Sequence, residues 1–315
     1  MGRNLLGFHL LAFLTVAIWG STFVFTKLLL QASLSPAQIF TLRFIIAYLL
    51  LLVDQLFDKE PVFAQNWKDE LLMVALGLTG GSLYFLAENA AMLYTTATNT
   101  SLIVCSCPLF AMLLMKLVYR QSEPITRLQA LGSVIAFLGM AVVVLNGQFV
   151  LHLSPIGDML AFVACLCWAF YSLLMKSALK RYSTLFITRK VFFYGLFTMI
   201  PYFIWRPEFP FLDVLLSAPV FWNLMFLSIV ASMLCYLAWN FVIKHLGIVV
   251  ATNWVYFNPI TTIIFAWWLL SEEITVWFLM GSALILTGMY MSDHYATKNL
   301  KVSEPPGHRV LPSRY

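Results

Sequence analysis

Residues Trp19–Lys27 read WGSTFVFTK, and 149 residues later Trp168–Lys176 read WAFYSLLMK. Each segment lies inside an apolar run, opens on tryptophan and closes on lysine. Leu86–Asn89 (LAEN) returns as Leu237–Asn240 (LAWN) at an offset of 151, and Pro108 returns as Pro259 at the same offset. Gly132 and Gly139 return as Gly281 and Gly288 at 149. Matches in the same order at nearly constant spacing describe an internal duplication.

The duplicated unit is built for lipid. Of the 315 residues, 61% are hydrophobic and 10% charged, and mean hydropathy is +0.86. A soluble domain carries about a quarter charged residues and cannot hide this much apolar surface. The composition therefore predicts an all-α integral membrane protein and excludes a cytosolic enzyme, a secreted disulfide scaffold and a nucleic-acid binder, despite a net charge of +5. Apolar runs of about 20 residues give ten transmembrane helices, near 8–29, 36–57, 71–94, 97–118, 126–146, 156–177, 184–205, 219–242, 248–270 and 275–293. Ten spans over two copies make five each. Because five is odd, the second copy enters the membrane from the opposite side. The expectation is two inverted five-helix repeats, residues 1–149 and 150–294, with a polar, disordered cytoplasmic tail at 295–315. Inverted repeats are a hallmark of secondary transporters.

Charge placement orients the chain. With the N-terminus inside, sixteen lysines and arginines fall on the inner side and two, Lys27 and Arg206, on the outer, leaving Arg43 within span two. Both termini are expected to be cytoplasmic. All five cysteines lie in apolar runs and read as inert buried thiols, so no metal site is expected. The five histidines (His9, His152, His245, His294 and His308) sit at span ends or in the tail, and neither a zinc motif nor a phosphate-binding loop is present. An enzyme, direct ATP hydrolysis and a bound cofactor are not supported.

The W-G-S-T-F segment, Pro36 with Arg43, the N-A-A-M-L-Y end of span three, Pro108 with the Glu123–Thr126 loop, and Asn258-Pro259 with Leu269–Thr275 together resemble the EamA-type family of the drug/metabolite transporter superfamily. The resemblance runs over residues 8–293. It implies a transporter of amino acids, nucleobases, other metabolites or drugs, often an exporter, in a bacterial plasma (inner) membrane, and leaves cargo and direction open.

Polar residues inside the spans name the expected site. Thr15, Trp19, Thr22 and Thr26 form one helical stripe, and Trp168 and Tyr171 hold the corresponding positions in span six. Tryptophan prefers the interface, so a mid-membrane pair suggests a cavity in which Trp19 and Trp168 face each other. Span three carries Tyr84 and Glu88; Trp239 replaces Glu88 in span eight, beside Asn240. A carboxylate within a lipid-embedded helix is a functional candidate. Its expected partner is Arg43, since each lies roughly 10 Å below the same face at 1.5 Å per residue. A structural ion pair and a switchable site for a proton or an anionic group are both open. Pro108 and Pro259 break spans four and nine and strand a carbonyl four residues earlier, at Val104 and Val255. Trp254 and Asn258 add aromatic and amide character. The expected substrate-lining set is Trp19, Thr22, Tyr84, Glu88, Trp168, Tyr171, Trp239, Asn240, Trp254 and Asn258, with Arg43, Glu88, Pro108 and Pro259 in coupling or gating. Such a site suits a small amphipathic metabolite, an aromatic or branched amino acid being the leading choice; multidrug or nucleobase export is the alternative, with a membrane enzyme or channel behind it. Protons as coupling ion and uncoupled diffusion both remain open.

Overall fold

The computed structural model describes residues 2–55, 61–95, 97–119, 125–145, 154–207, 210, 212–270 and 275–302. All regular structure among them is helical. The ten spanning helices are α1 (Gly2–Gln31), α2 (Pro36–Gln55), α3 (Trp67–Tyr94), α4 (Ala97–Val104 and Cys107–Val118), α5 (Arg127–Leu145), α6 (Pro155–Ala178), α7 (Thr184–Phe197 and Ile200–Trp205), α8 (Ala218–Leu246), α9 (Ile248–Asn253, Trp254–Phe257 and Asn258–Leu270) and α10 (Val276–Val302). A short helix, Leu212–Leu216, precedes α8. Helix α10 runs past residue 295, where the tail was expected to begin. The face on which α1 starts is called the N-terminal face below, and the other the distal face.

Among the described residues, six segments are long and apolar enough to cross a membrane, and three shorter apolar helices accompany them. The outer surface explains why water is the wrong solvent. On α1, Leu6, Leu10 and Leu14 stand four apart and are exposed, whereas Ala12 and Val16 are buried. That exposed stripe faces acyl chains.

Local chemistry starts the helices where the repeat requires. At α2, the Ser35 amide donates to Gln38 Oε1 at 2.9 Å and the Gln38 amide to Ser35 Oγ at 3.2 Å, a reciprocal capping box. At α5, Thr126 and Gln129 repeat it. Ser183 caps α7 by accepting from the Phe186 amide at 3.0 Å, and Thr275 receives the Phe278 amide at the start of α10 at 3.4 Å. Glu123, which precedes α5 in the sequence, and Glu272 and Glu273, which precede α10, lie outside the described residues.

Glycine reveals the inverted relationship. A Cβ on Gly132 of α5 would stand 2.6 Å from the Gly288 carbonyl of α10, and one on Gly139 would stand 2.8 Å from the Gly281 carbonyl. Gly132 corresponds to Gly281 and Gly139 to Gly288, so exchanging the two halves turns one contact into the other. Only a two-fold axis does this, and small residues let the helix backbones approach closely.

Besides the break in α7 at Thr198–Met199, four helices are irregular at mid-depth, two in each half. Helix α3 contains a π segment at Leu78–Ser82 and α8 one at Phe226–Leu234. Helix α4 breaks at Cys105–Ser106, ahead of Pro108, and α9 tightens to a 3₁₀ turn at Trp254–Phe257, ahead of Pro259. Non-helical backbone at this depth persists only where it is buried in protein or lines a cavity.

Candidate functional site

The irregular helices surround one narrow cavity of about 40 Å³. Trp19, Thr22 and Phe23 of α1, Arg43 of α2, Tyr84 and Glu88 of α3, Trp168 of α6, Tyr236 of α8 and Asn258 of α9 form most of its wall. Val104 and Val255, each four residues before a helix-breaking proline, line it as well. The prolines thus act through the backbone they distort.

Aromatic rings dominate the floor. Trp19 and Trp168 meet edge to face with centroids 5.3 Å apart and planes at 89°, and Tyr84 lies 5.1 Å from Trp168. The two π segments each contribute a carbonyl to this cluster. Trp19 Nε1 donates to the Ala231 carbonyl at 2.9 Å, and the Tyr236 hydroxyl donates to the Gly80 carbonyl at 2.5 Å. Gly80 and Ala231 are repeat equivalents, so each half's π turn is satisfied by an aromatic donor from the other half.

The charged pair is not the contact that equal depth suggested. Glu88 accepts from the Tyr84 hydroxyl at 2.9 Å, and Arg43 donates from Nε to Ser232 Oγ at 3.1 Å while its guanidinium lies 4.6 Å from the centre of the Phe85 ring. Both are buried, at 2% and 7% exposure. The side chains share a cavity and attract one another electrostatically, but neither is the other's hydrogen-bond partner. Asn258 donates to Cys105 Sγ at 3.7 Å, and its Oδ1 is buried without a partner.

Other expected residues take different places. Tyr171 donates to Asn240 Oδ1 at 2.8 Å and Asn240 donates to Thr188 at 2.9 Å, a fully buried chain behind the wall. Trp239 is wholly buried, 5.1 Å from Trp19. These residues fill the place that is open in the first half, because an indole stands where the other repeat has Glu88. Trp254 lies apart, donating to His9 Nδ1 at 3.3 Å and packing on Phe13 toward the N-terminal face. Thr22 lines the cavity but donates to its own helix, at the Trp19 carbonyl, 2.7 Å away. Arg189 and Lys190, the nearest sequence counterparts of Arg43, point elsewhere: Arg189 donates to the Pro61 carbonyl at 2.7 Å and Lys190 pairs with Glu70.

That last pair belongs to a cluster which sequence reasoning missed. At the N-terminal face, Asp69 is bonded by Arg181 and by the Tyr182 hydroxyl, the latter at 2.8 Å, while Glu70 receives Lys190 and Tyr194. Every contact joins α3 of the first half to the α6–α7 region of the second. Only a run of charges around span ends was visible beforehand, and that reads as topology signal. The matching place on the distal face is apolar, with Leu29, Leu34 and Ile39 packed against Val220 and Leu224. There the start of α8 touches α1 and α2 sparsely, whereas α3 packs closely along α7 on the N-terminal face. The cavity wall lies toward the distal face: Arg43 is seven residues from the distal start of α2, and Glu88 six from the distal end of α3.

A sequence model of the EamA-like transporter family matches residues 7–145 and again residues 155–292. The chain belongs to the EamA-like transporter family. It is a multi-pass integral membrane transporter of the drug/metabolite transporter superfamily, not an enzyme. An "Uncharacterized transporter" of Archaeoglobus fulgidus is 28% identical over 292 residues, covering 90% of this chain and 96% of that one. A "Probable amino-acid metabolite efflux pump" of Escherichia coli is 26% identical over 298 residues, covering 90% and 93%. A crystal structure aligns with a TM-score of 0.75 at 15% identity, covering 92% of this chain and 98% of its own, a likeness of fold. The EamA match falls twice, once on each half that the internal duplication marks out.

Proposed function

We propose that this EamA-family chain is a secondary transporter that exports a small amphipathic metabolite, foremost an aromatic or branched amino acid, across the plasma membrane by alternating access. Residues 1–149 and 150–294 form the two inverted units, and both termini are cytoplasmic. The observation that carries this reading is a buried guanidinium and a buried carboxyl group, Arg43 and Glu88, lining one aromatic cavity without a hydrogen bond between them. A zwitterion suits such a place once the halves move apart to admit it, the space in this conformation being about 40 Å³. Its carboxylate meets the guanidinium, its ammonium meets Glu88 and the open Oδ1 of Asn258, and its side chain lies against Trp19, Trp168 and Tyr236. Buried charges are expensive unless paired, so cargo that brings the opposite charges is bound in preference to water.

The ionic cluster at the N-terminal face supports the rest of the cycle. In this conformation the cytoplasmic side is held shut between the halves and the cavity lies nearer the outer side. Breaking those contacts while tightening the apolar distal contacts gives the inward-facing state, since the two faces are related by the repeat. The name of the Escherichia coli relative favours amino-acid efflux over drug or nucleobase export.

Counterflow in proteoliposomes tests the proposal. Vesicles loaded with unlabelled phenylalanine or leucine are expected to accumulate labelled amino acid saturably, and Arg43→Gln to abolish the accumulation. Exchange seen only with nucleobases or cationic drugs would overturn the amino-acid reading, and no saturable exchange with any of them would overturn the carrier reading.

A further inference from the structure

A second hollow lies on the outside of the molecule, between α2 of the first half and α7 of the second. It has a volume of about 510 Å³, and Ile45, Tyr48, Phe193, Phe197, Ile200 and Ile204 form most of its walls. No charged side chain lines it. The groove exists because α7 is interrupted: the helix turns at Thr198–Met199, Thr198 Oγ1 returns to the Tyr194 carbonyl at 2.8 Å, and Pro201 follows in the next turn. The second piece of α7 therefore does not follow α2, and apolar wall is left uncovered.

The dimensions of the groove fit its surroundings. From Phe193 to Ile204 the wall spans eleven residue steps, at most about 16 Å at 1.5 Å per residue, because the helix turns at Thr198–Met199. Half of a hydrocarbon core about 30 Å thick is about 15 Å. The hollow thus reaches across no more than about one leaflet, from the middle of α2 near Tyr48 toward the distal face. Directly beyond Ile204 come Trp205, 78% exposed, and Arg206, whose guanidinium sits 5.4 Å from the centre of the Trp205 ring. A tryptophan and an arginine at that level belong to the headgroup region. Arg206 is one of two basic residues that charge counting assigns to this side.

We infer that an anionic phospholipid of the distal leaflet occupies this groove, with an acyl chain between α2 and α7 and its phosphate at Arg206. The apolar walls select a hydrocarbon chain, the matching length selects a chain anchored at the interface, and the arginine selects a negative headgroup. Since α2 and α7 belong to different halves, the lipid bridges the seam along which the halves move. The inference rests on the membrane embedding and is independent of the cargo.

Native mass spectrometry of the detergent-purified full chain, given phosphatidylglycerol or phosphatidylcholine after delipidation, tests it. The wild type is expected to retain one phosphatidylglycerol, with about a fivefold preference over phosphatidylcholine, the ratio that one basic side chain near an anionic headgroup supplies. Ile45→Trp, which fills the groove from α2, is expected to lose the retained lipid. Ile200→Trp does the same from α7 and covers the case in which the first variant fails to fold. Arg206→Gln is expected to keep a lipid but bring the preference to parity. A wild type that retains no lipid, retention that both tryptophan variants leave intact, or a preference unchanged in Arg206→Gln would overturn the inference.

Discussion

Arg43 and Glu88 line the same cavity from neighbouring helices, yet Arg43 is tied to Ser232 of the opposite half and Glu88 to Tyr84 one turn before it. The two charges are held apart by separate anchors. A structural ion pair would close that gap, and a site for a dipolar guest needs it open.

Arg43→Gln and Glu88→Gln are each expected to lower counterflow by about tenfold or more, since hydrogen bonds to charged groups contribute about 1.5–3 kcal/mol. The exchanged double variant, Arg43→Glu with Glu88→Arg, is expected not to recover, because Ser232 and Tyr84 stay where they are. Recovery in the exchanged protein would mean that the two residues act as a simple pair.

The charged cluster at the N-terminal face is expected to control which side the cavity opens to. With Cys107, a cavity-lining residue, left as the sole cysteine, Asp69→Asn and Lys190→Gln should each speed its labelling by an impermeant thiol reagent applied from the N-terminal face. Labelling from the distal face should slow. Equal rates in wild type and both variants would remove the cluster from the gating scheme.

Trp19 and Trp168 hold equivalent positions but are bonded differently, because only Trp19 donates to a carbonyl of the opposite half's π segment. Phenylalanine at position 19 leaves the Ala231 carbonyl without that donor, a loss of about 1–3 kcal/mol. Thermal unfolding in detergent is expected to show a clearly lower midpoint for Trp19→Phe than for Trp168→Phe. The reverse order would show that indole packing outweighs this bond.

Close approach of α5 and α10 gives a contrast between two glycines. Gly132→Ala must displace the Gly288 carbonyl, 2.6 Å from the added carbon, and overpacking of this kind costs about 1–3 kcal/mol. Gly7→Ala meets nothing within 4 Å and should leave stability unchanged or slightly raised, as alanine favours a helix. Equal melting temperatures for the two variants would contradict the glycine contact at the dyad.

Much of this architecture was legible in the chain itself. The repeat offsets located Gly132, Gly139, Gly281 and Gly288 as partners in a duplication, and the prolines marked Val104 and Val255 as points where backbone leaves the helix. Equal depth brought Arg43 and Glu88 to one cavity but could not say what each would bond. Depth is a coordinate along the helix axis, whereas Ser232 and Tyr84 were selected by rotation about it and by the packing of α8. The same gap hid Asp69 and Glu70, whose partners lie more than a hundred residues away, and left Trp254 in the cavity set when it belongs with His9.

Hydrophobic length, basic-residue bias and an odd number of spans in each copy are one-dimensional quantities, and they were enough to determine a helical membrane protein made of two opposed halves, because lipid demands satisfied backbone in every span. Which face carries the ionic contacts, and which side chains of the two halves meet around the cavity, was decided by folding. The repeats differ at a handful of side chains: Glu88 against Trp239, and charges at one seam against leucine and isoleucine at the other. Those differences acquire meaning only when the dyad brings the paired positions side by side.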